Sequence, residues 1–286
     1  MFEIPKMPLA AWVDGLLDWL TSAIAPLTRG FAGFVRLGID GIVNGLGALP
    51  PVVLMLVIGA IAWWIASRKV AIFSVAGLLF IWNLGLWGPT LSTIALVLVA
   101  TFISILIGLP LGILSGLSWP FNRAVTPVLD LMQTMPAFVY LIPAIPFFGL
   151  GPVAAAFATV IFSIPPSIRL TSLGIRQIDR EMIEAADAFG TTTMQKLVKV
   201  QLPLALPTIM AGINQTIMLS LSMVVIAAMI GAGGLGGEVW RAIQRLRAGQ
   251  GVEAGLAIVI IAMILDRITQ NITVKKGGKE TAAQEA

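Results

Sequence analysis

Apolar positions in this chain come in long runs instead of alternating with polar ones. The runs cover about residues 49–66, 70–86, 89–113, 127–148, 153–170, 208–230 and 254–268. Each is close to the ~20 apolar residues that cross a bilayer as a helix. Inside a bilayer every backbone polar group must be satisfied within the chain, so runs of this kind predict helices. The pattern therefore predicts an all-α polytopic membrane protein with about seven spans. Residues 115–123 read as a short turn and residues 171–206 as a polar insertion. The Lys-rich tail, residues 271–286, reads as disordered.

Residues 1–48 are amphipathic and do not read as spanning. Trp12, Leu16, Trp19 and Leu20 share a helical face, with Asp14 and Asp18 on another. A second piece, 27–46, carries Arg29, Arg36 and Asp40, and the four-residue spacing of Arg36 and Asp40 predicts an ion pair. Both pieces are expected to lie in the membrane interface, against lipid.

Composition narrows the function. The chain has 286 residues, 58% hydrophobic and 11% charged, where soluble domains have about a quarter charged. The net charge of +4 is no nucleic-acid signal, because the basic residues sit at the ends of apolar runs. With no Cys and no His, the chain lacks thiol nucleophiles, imidazole bases and the usual zinc ligands. We expect no catalytic residue and no metal site. Glu3, Asp14 and Asp18 interrupt any signal-peptide pattern. The Lys and Arg distribution predicts the polar insertion and the C-terminus on the cytoplasmic side, with the N-terminus outside. Arg241, Arg245 and Arg247 break that rule in a short outer loop.

The polar insertion is the first chemistry-bearing stretch. Residues 179–189 read as a helix that Gly190 stops and residues 191–193 restart. The second helix covers 194–200, and Pro203 is expected to break it before the membrane. Ala185 and Ala186 offer a smooth face for a partner, with Glu184 and Asp187 as carboxylate handles. A solvated linker needs neither the Ala pair nor the placed Gly.

A second set of polar residues lies within the spans. Asp130, Gln133 and Thr134 share one helical face in the fourth span. Asn214, Met218 and Ser222 fall in a stripe of the sixth. Polar groups at that depth usually face a cavity or another helix. Pro136, Pro143 and Pro146 are expected to kink the fourth span. Tyr140, Phe138, Phe147 and Phe148 offer ring faces that suit a quaternary ammonium. Gly108, Gly112 and Gly116 repeat every fourth residue and predict a close helix contact. Gly231, Gly233 and Gly236 fit G-x-G-x-x-G, but an apolar span precedes them where a nucleotide fold needs a strand, so they read as a flexible outer turn. No G-x-x-x-x-G-K-[ST] motif is present.

The pattern Glu184-Ala185-Ala186, three residues, Gly190, nine residues, Val200, one residue, Leu202-Pro203 resembles the EAA loop of ABC importer permeases. Val200 stands where Ile is commoner. The segment 130–143 and the glycine run 231–236 are similar to the glycine betaine/L-proline branch, and the likeness covers about 88–270. It implies a type I ABC importer transmembrane fold: two accessory spans over 49–87, then a permease core whose loop couples to ATPase subunits. It further implies a homodimer in the bacterial inner membrane, fed by a soluble periplasmic binding protein. ATP and Mg would be bound by the partner ATPase, with no cofactor in this chain. The cargo would be an osmoprotectant such as glycine betaine or proline betaine. Rival readings are choline or methionine import by the same architecture, an ion-coupled secondary transporter or osmotic channel, and a membrane enzyme.

Overall fold

The computed structural model describes the backbone of residues 8–284 and the side chains of residues 8–271. The chain folds into α1 (Leu9–Ala23), α2 (Ala25–Gly47), α3 (Pro51–Ile65), α4 (Arg68–Asn83), α5 (Trp87–Leu117), α6 (Trp119–Thr134), α7 (Leu141–Phe148), α8 (Pro152–Arg176), α9 (Arg180–Ala188), α10 (Thr193–Lys196), α11 (Leu202–Ala227), α12 (Gly234–Gln244) and α13 (Ala248–Gln284). Short 3-10 turns at Ala137–Tyr140 and Ala228–Ile230 and a π turn at Leu197–Gln201 complete it.

Close glycine contacts fix how the helices run. A Cβ on Gly108 would meet Ser167 at 2.7 Å, one on Gly112 Thr171 at 2.6 Å, and one on Gly116 Ile175 at 2.9 Å. The small-residue repeat of α5 therefore packs directly on α8, and the rising order on both makes them parallel. Gly174 lies on Ala205 and Thr208, while Gly212 lies on Leu170, so α11 runs against α8. α12 folds back at the far end of α11 and leads into α13, which returns alongside α11 so that Asn214 meets Asp266 midway along both. Thus α5, α8 and α13 run one way and α11 the other. These directions gather Arg176, Arg180, Lys196, Lys199 and Arg267 at one end of the bundle.

Several expectations are corrected. Among the described residues four helices are long and apolar enough to cross a membrane, or up to six if each of two bent pairs counts as one span. α4, with 16 residues, rises only about 24 Å and falls short of the ~30 Å hydrocarbon core. The fourth span is not one helix: α6 and α7 meet at 110°. The cause is local, because Met135 precedes Pro136 and is held extended at ψ 133°. Pro146 sits inside α7 without breaking it. The turn at 115–123 shrinks to Ser118, which caps α6 with its own side chain. A second bent pair, at 105°, joins α2 to α3 at Pro50-Pro51.

The amphipathic tail is helical, but α2 is more than an interfacial helix. It buries Val35 and Ile39 among Ala95, Leu96, Val99 and Ala100 of α5, and Phe31 packs edge-on against Phe157 of α8. Arg36 and Asp40 form no ion pair; both instead line one cavity with Phe148 and Pro152. α1 keeps Trp12, Leu16 and Trp19 exposed. Residues 1–7 of this segment lie outside the described residues. At the other end, α13 continues as helical backbone to Gln284 instead of dissolving into a tail, consistent with a stretch rich in Lys, Glu, Ala and Gln and free of Pro. Residues 285–286 lie outside the described residues.

Candidate functional site

The insertion folds as two short helices around one left-handed residue. α9 ends where Phe189 N–H bonds the Ala185 carbonyl and Gly190 N–H bonds the Asp187 carbonyl. Gly190 then takes φ +71°, a conformation that costs any residue with a Cβ about 1–2 kcal/mol. Thr191 returns both its N–H and its hydroxyl to the Ala186 carbonyl, at 3.2 and 2.8 Å. Thr192 and Gln195 form a reciprocal capping box that starts α10. Lys196 Nζ then reaches back to both oxygens of Asp187, at 2.7 and 2.8 Å. The result is a braced knob with a defined outer surface.

That surface differs from the expected one. Ala186 is buried beneath Thr191, so only Ala185 of the Ala pair faces out. Asp187 is not a free handle, because it clamps α9 to α10. Glu184 is exposed and forms no ion pair among the described residues. The prominent outward group is Phe189, 89% exposed, with exposed Met182 and Met194 nearby in sequence. Sequence reasoning treated Phe189 as part of a helix end.

The return to the bundle is also continuous. Pro203 has no N–H to give, yet the helix does not break there. Leu202 N–H reaches the Leu197 carbonyl, and the π turn absorbs the mismatch. Helix therefore continues from Thr193 to Ile230, 38 residues. Gln201 is buried within the π turn, and Leu202 and Pro203 are half-buried beside it. A groove of about 330 Å³ opens where α9 meets α8 and α11, lined by Gln177, Asp179, Met182, Leu204 and Thr208.

The polar residues of the spans separate into two groups. On α8, Ile164, Ser167, Ile168 and Thr171 face α5 or its neighbours, and Pro166, Leu170 and Gly174 face α11. Arg169 and Leu173 are left facing away from α5. On α11, Ala205, Thr208 and Gly212 face α8, which leaves Leu204, Ala211, Gln215, Met218 and Ser222 exposed. These two left-over faces adjoin on the side opposite α5. α6 borders them, because Asp130 pairs with Arg169 and Leu129 packs on Ile164 and Ile168. Gln133 and Thr134 are exposed on α6, with the Thr134 hydroxyl bonding the Leu131 carbonyl. Met218 and Ser222 are exposed on the α11 part of this polar face, and Asp130, Gln133 and Thr134 are exposed on α6, which borders its α8 edge.

Asn214 and Tyr140 lie elsewhere. Asn214 donates to Asp266 at 3.0 Å and accepts from Thr269 at 2.7 Å, so its side chain ties α11 to α13. Gln215 takes its place on the polar face. Tyr140 is buried, its hydroxyl donates to the Met132 carbonyl, and its ring meets Phe162 edge-on at 5.7 Å. It spans the bend between α6 and α7 and braces it. Phe147 and Phe148 stack with Phe157, which makes them packing residues, while Phe138 is exposed.

The outer glycine run is a folded corner, not a flexible turn. Gly231 and Gly233 take φ +90° and +71°, and α12 then folds back onto the bundle. Leu235 is fully buried and its N–H bonds the Thr93 hydroxyl at 2.8 Å. A Cβ on Gly236 would lie 2.3 Å from the Val224 carbonyl oxygen. Arg241 pairs with Glu238 on α12, while Arg245 is exposed at its end.

A continuous helix bundle with a braced polar knob at one end and a polar face along one side is the architecture of a transport permease. The chain belongs to the family of binding-protein-dependent transport system inner membrane components, which residues 108–273 match. It is 54% identical over 282 residues to the glycine betaine transport system permease protein OpuAB of Bacillus subtilis, covering 99% of this chain and 100% of that one. It is 51% identical to the glycine betaine/carnitine transport permease protein GbuB of Listeria monocytogenes, covering 94% and 97% of the two chains. The glycine betaine/proline betaine permease ProW of Escherichia coli is 47% identical, over 95% of this chain and 77% of that one. Among solved structures, an inward-facing form of the MetNI methionine ABC transporter matches with TM-score 0.61 at 24% identity, over 65% of this chain and 93% of that one. The fold is accordingly that of a type I ABC importer transmembrane subunit.

Proposed function

We propose that this permease imports glycine betaine, proline betaine or a close zwitterionic relative, driven by ATP that a partner ATPase binds and hydrolyses with Mg. The observation that carries the coupling role is the braced knob: a rigid, Phe-tipped projection at the basic end of the bundle. On the positive-inside rule that end is cytoplasmic. An ATPase subunit receives Phe189 and the exposed Glu184 and Ala185, and Gly190 sets the angle at which they are offered. A periplasmic binding protein delivers cargo at the opposite end, beside α12 with Arg241 and Arg245. A second copy of the chain covers the polar face, and the cargo passes between the copies along Asp130, Gln133, Thr134, Met218 and Ser222. Trp12 and Trp19 of α1 rest in the lipid headgroup layer, where amphipathic rings are favoured.

The reading is tested by reconstitution with an ATPase and a betaine-binding protein in liposomes. ATP-dependent uptake of labelled glycine betaine is expected, and Glu184→Lys should abolish it. Uptake that persists without ATP would favour a secondary transporter, and normal uptake by the Glu184→Lys protein would sink the docking role.

A further inference from the structure

One charged pair on the polar face is poorly used as a structural element. Arg169 offers a single guanidinium nitrogen, Nη2, to Asp130 Oδ1. Its Nε is buried with no hydrogen-bond partner. The second oxygen of Asp130, whose side chain is 59% exposed, accepts nothing among the described residues. An arginine–carboxylate brace is normally bidentate, with two parallel bonds. Here one Asp130 oxygen is open to a ligand, and the Arg169 guanidinium is held through one nitrogen only, with its Nε shut away from solvent. Asp130 and Arg169 come from α6 and α8, which pack directly on each other through Leu129, Ile164 and Ile168.

We infer that Asp130 and Arg169 form a charge pair that a zwitterionic cargo opens and replaces: the cargo carboxylate takes the guanidinium while its quaternary ammonium takes the Asp130 carboxylate. The physical reason is charge balance. A lone Arg or Asp on the path would hold one end of the cargo and leave the charge at its other end unmatched once the path closes around it, and an unpaired desolvated charge costs several kcal/mol. A pair that separates onto a molecule bearing both charges never leaves a net charge uncovered. No covalent bond or proton is exchanged. The depth suits a late station on the path: Arg169 lies 17 residues beyond the Pro152 start of α8, about 25 Å along the helix and close to its basic end.

This inference rests on the betaine reading, and the experiment separates the two. The full complex with ATPase and binding protein is reconstituted, and glycine betaine imported per ATP hydrolysed is measured for wild type, Asp130→Asn/Arg169→Gln, Arg169→Gln and Arg169→Lys. The doubly neutral protein can still hydrogen-bond between α6 and α8 but presents no charges. Its import per ATP is expected to fall at least about tenfold, about 1.4 kcal/mol. Arg169→Gln should fall comparably, while Arg169→Lys, which keeps the cation, should retain at least about a third. A mere brace would lower uptake and hydrolysis in step or leave both unchanged in the doubly neutral protein, and either result overturns the inference. If the wild-type complex imports no betaine at all, the functional reading fails and this inference fails with it.

Discussion

Phe189 is where the docking reading can be tested most sharply. Its side chain is 89% exposed and forms no ring contact with another aromatic, so its apolar surface is almost wholly available to a partner. Full burial of a Phe side chain stabilises by about 1.5–3 kcal/mol. Truncation by Phe189→Ala should therefore weaken binding of the ATPase subunit by about 10- to 100-fold. The permease itself should hardly notice, because the turn is held by Gly190, Thr191 and the Asp187–Lys196 clamp, none of which uses the Phe189 side chain. The assay is a titration of purified ATPase onto the permease in nanodiscs, run beside thermal unfolding of the permease alone. Phe189→Leu, which keeps most of the apolar volume, should stay within a few-fold of wild type. Unchanged affinity for Phe189→Ala, or an affinity loss matched by a lower unfolding temperature, would refute the argument.

The other predictions concern positions whose surroundings are equally well defined. Gly190→Ala meets no atom within 4 Å and pays only the strain of φ +71°, so it should destabilise the loop by about 1–2 kcal/mol; Gly190→Asn should cost less, because Asn tolerates that conformation, and protease sensitivity of the loop reports the difference. Gly236→Ala drives a methyl against the Val224 carbonyl and should destabilise by about 1–3 kcal/mol or more, read as a lower unfolding temperature. Asn214→Leu leaves Asp266 and Thr269 without their shared partner and should cost about 1–2 kcal/mol, with no selective loss of betaine over other cargo in uptake assays.

How much of this was legible in the sequence differs by element. A close helix contact along α5 was readable from Gly108, Gly112 and Gly116, because only small residues permit backbones so close, but that α8 makes it was not. The helix–turn–helix of the loop was readable from Gly190 and the threonines after it. Which way its side chains point was not. The Ala186 burial depends on Thr191 turning back, and the Asp187 clamp depends on Lys196 nine residues later, a pairing that exists only once the turn is made. Helical spacing put Asn214 in one stripe with Met218 and Ser222, but 3.6-residue periodicity drifts, and a neighbour on α13 claimed one end of the stripe. The bend at Pro136 was underestimated for a different reason. Kinks inside a helix usually leave its direction roughly intact, whereas an extended Met135 followed by a 3-10 turn redirects it by 110°. The outer glycine run misled because glycines clustered after a span suggested slackness, when in this corner their positive φ values let α12 turn sharply into a packed position.

The unbroken helix from Thr193 to Ile230 has a mechanical consequence. It joins the braced knob at one end of the bundle to the glycine corner at the other. At 1.5 Å per residue its 38 residues make a rod of about 57 Å. A tilt of about 5° about its midpoint would displace each tip by roughly 2.5 Å in opposite directions. The exposed Gln215, Met218 and Ser222 lie past the fulcrum of such a lever, where travel is smaller than at the tips while the change of orientation is the same. Its compliant stretch runs from the π turn beside Pro203 to Pro207, placed so that force enters before the stiff arm begins.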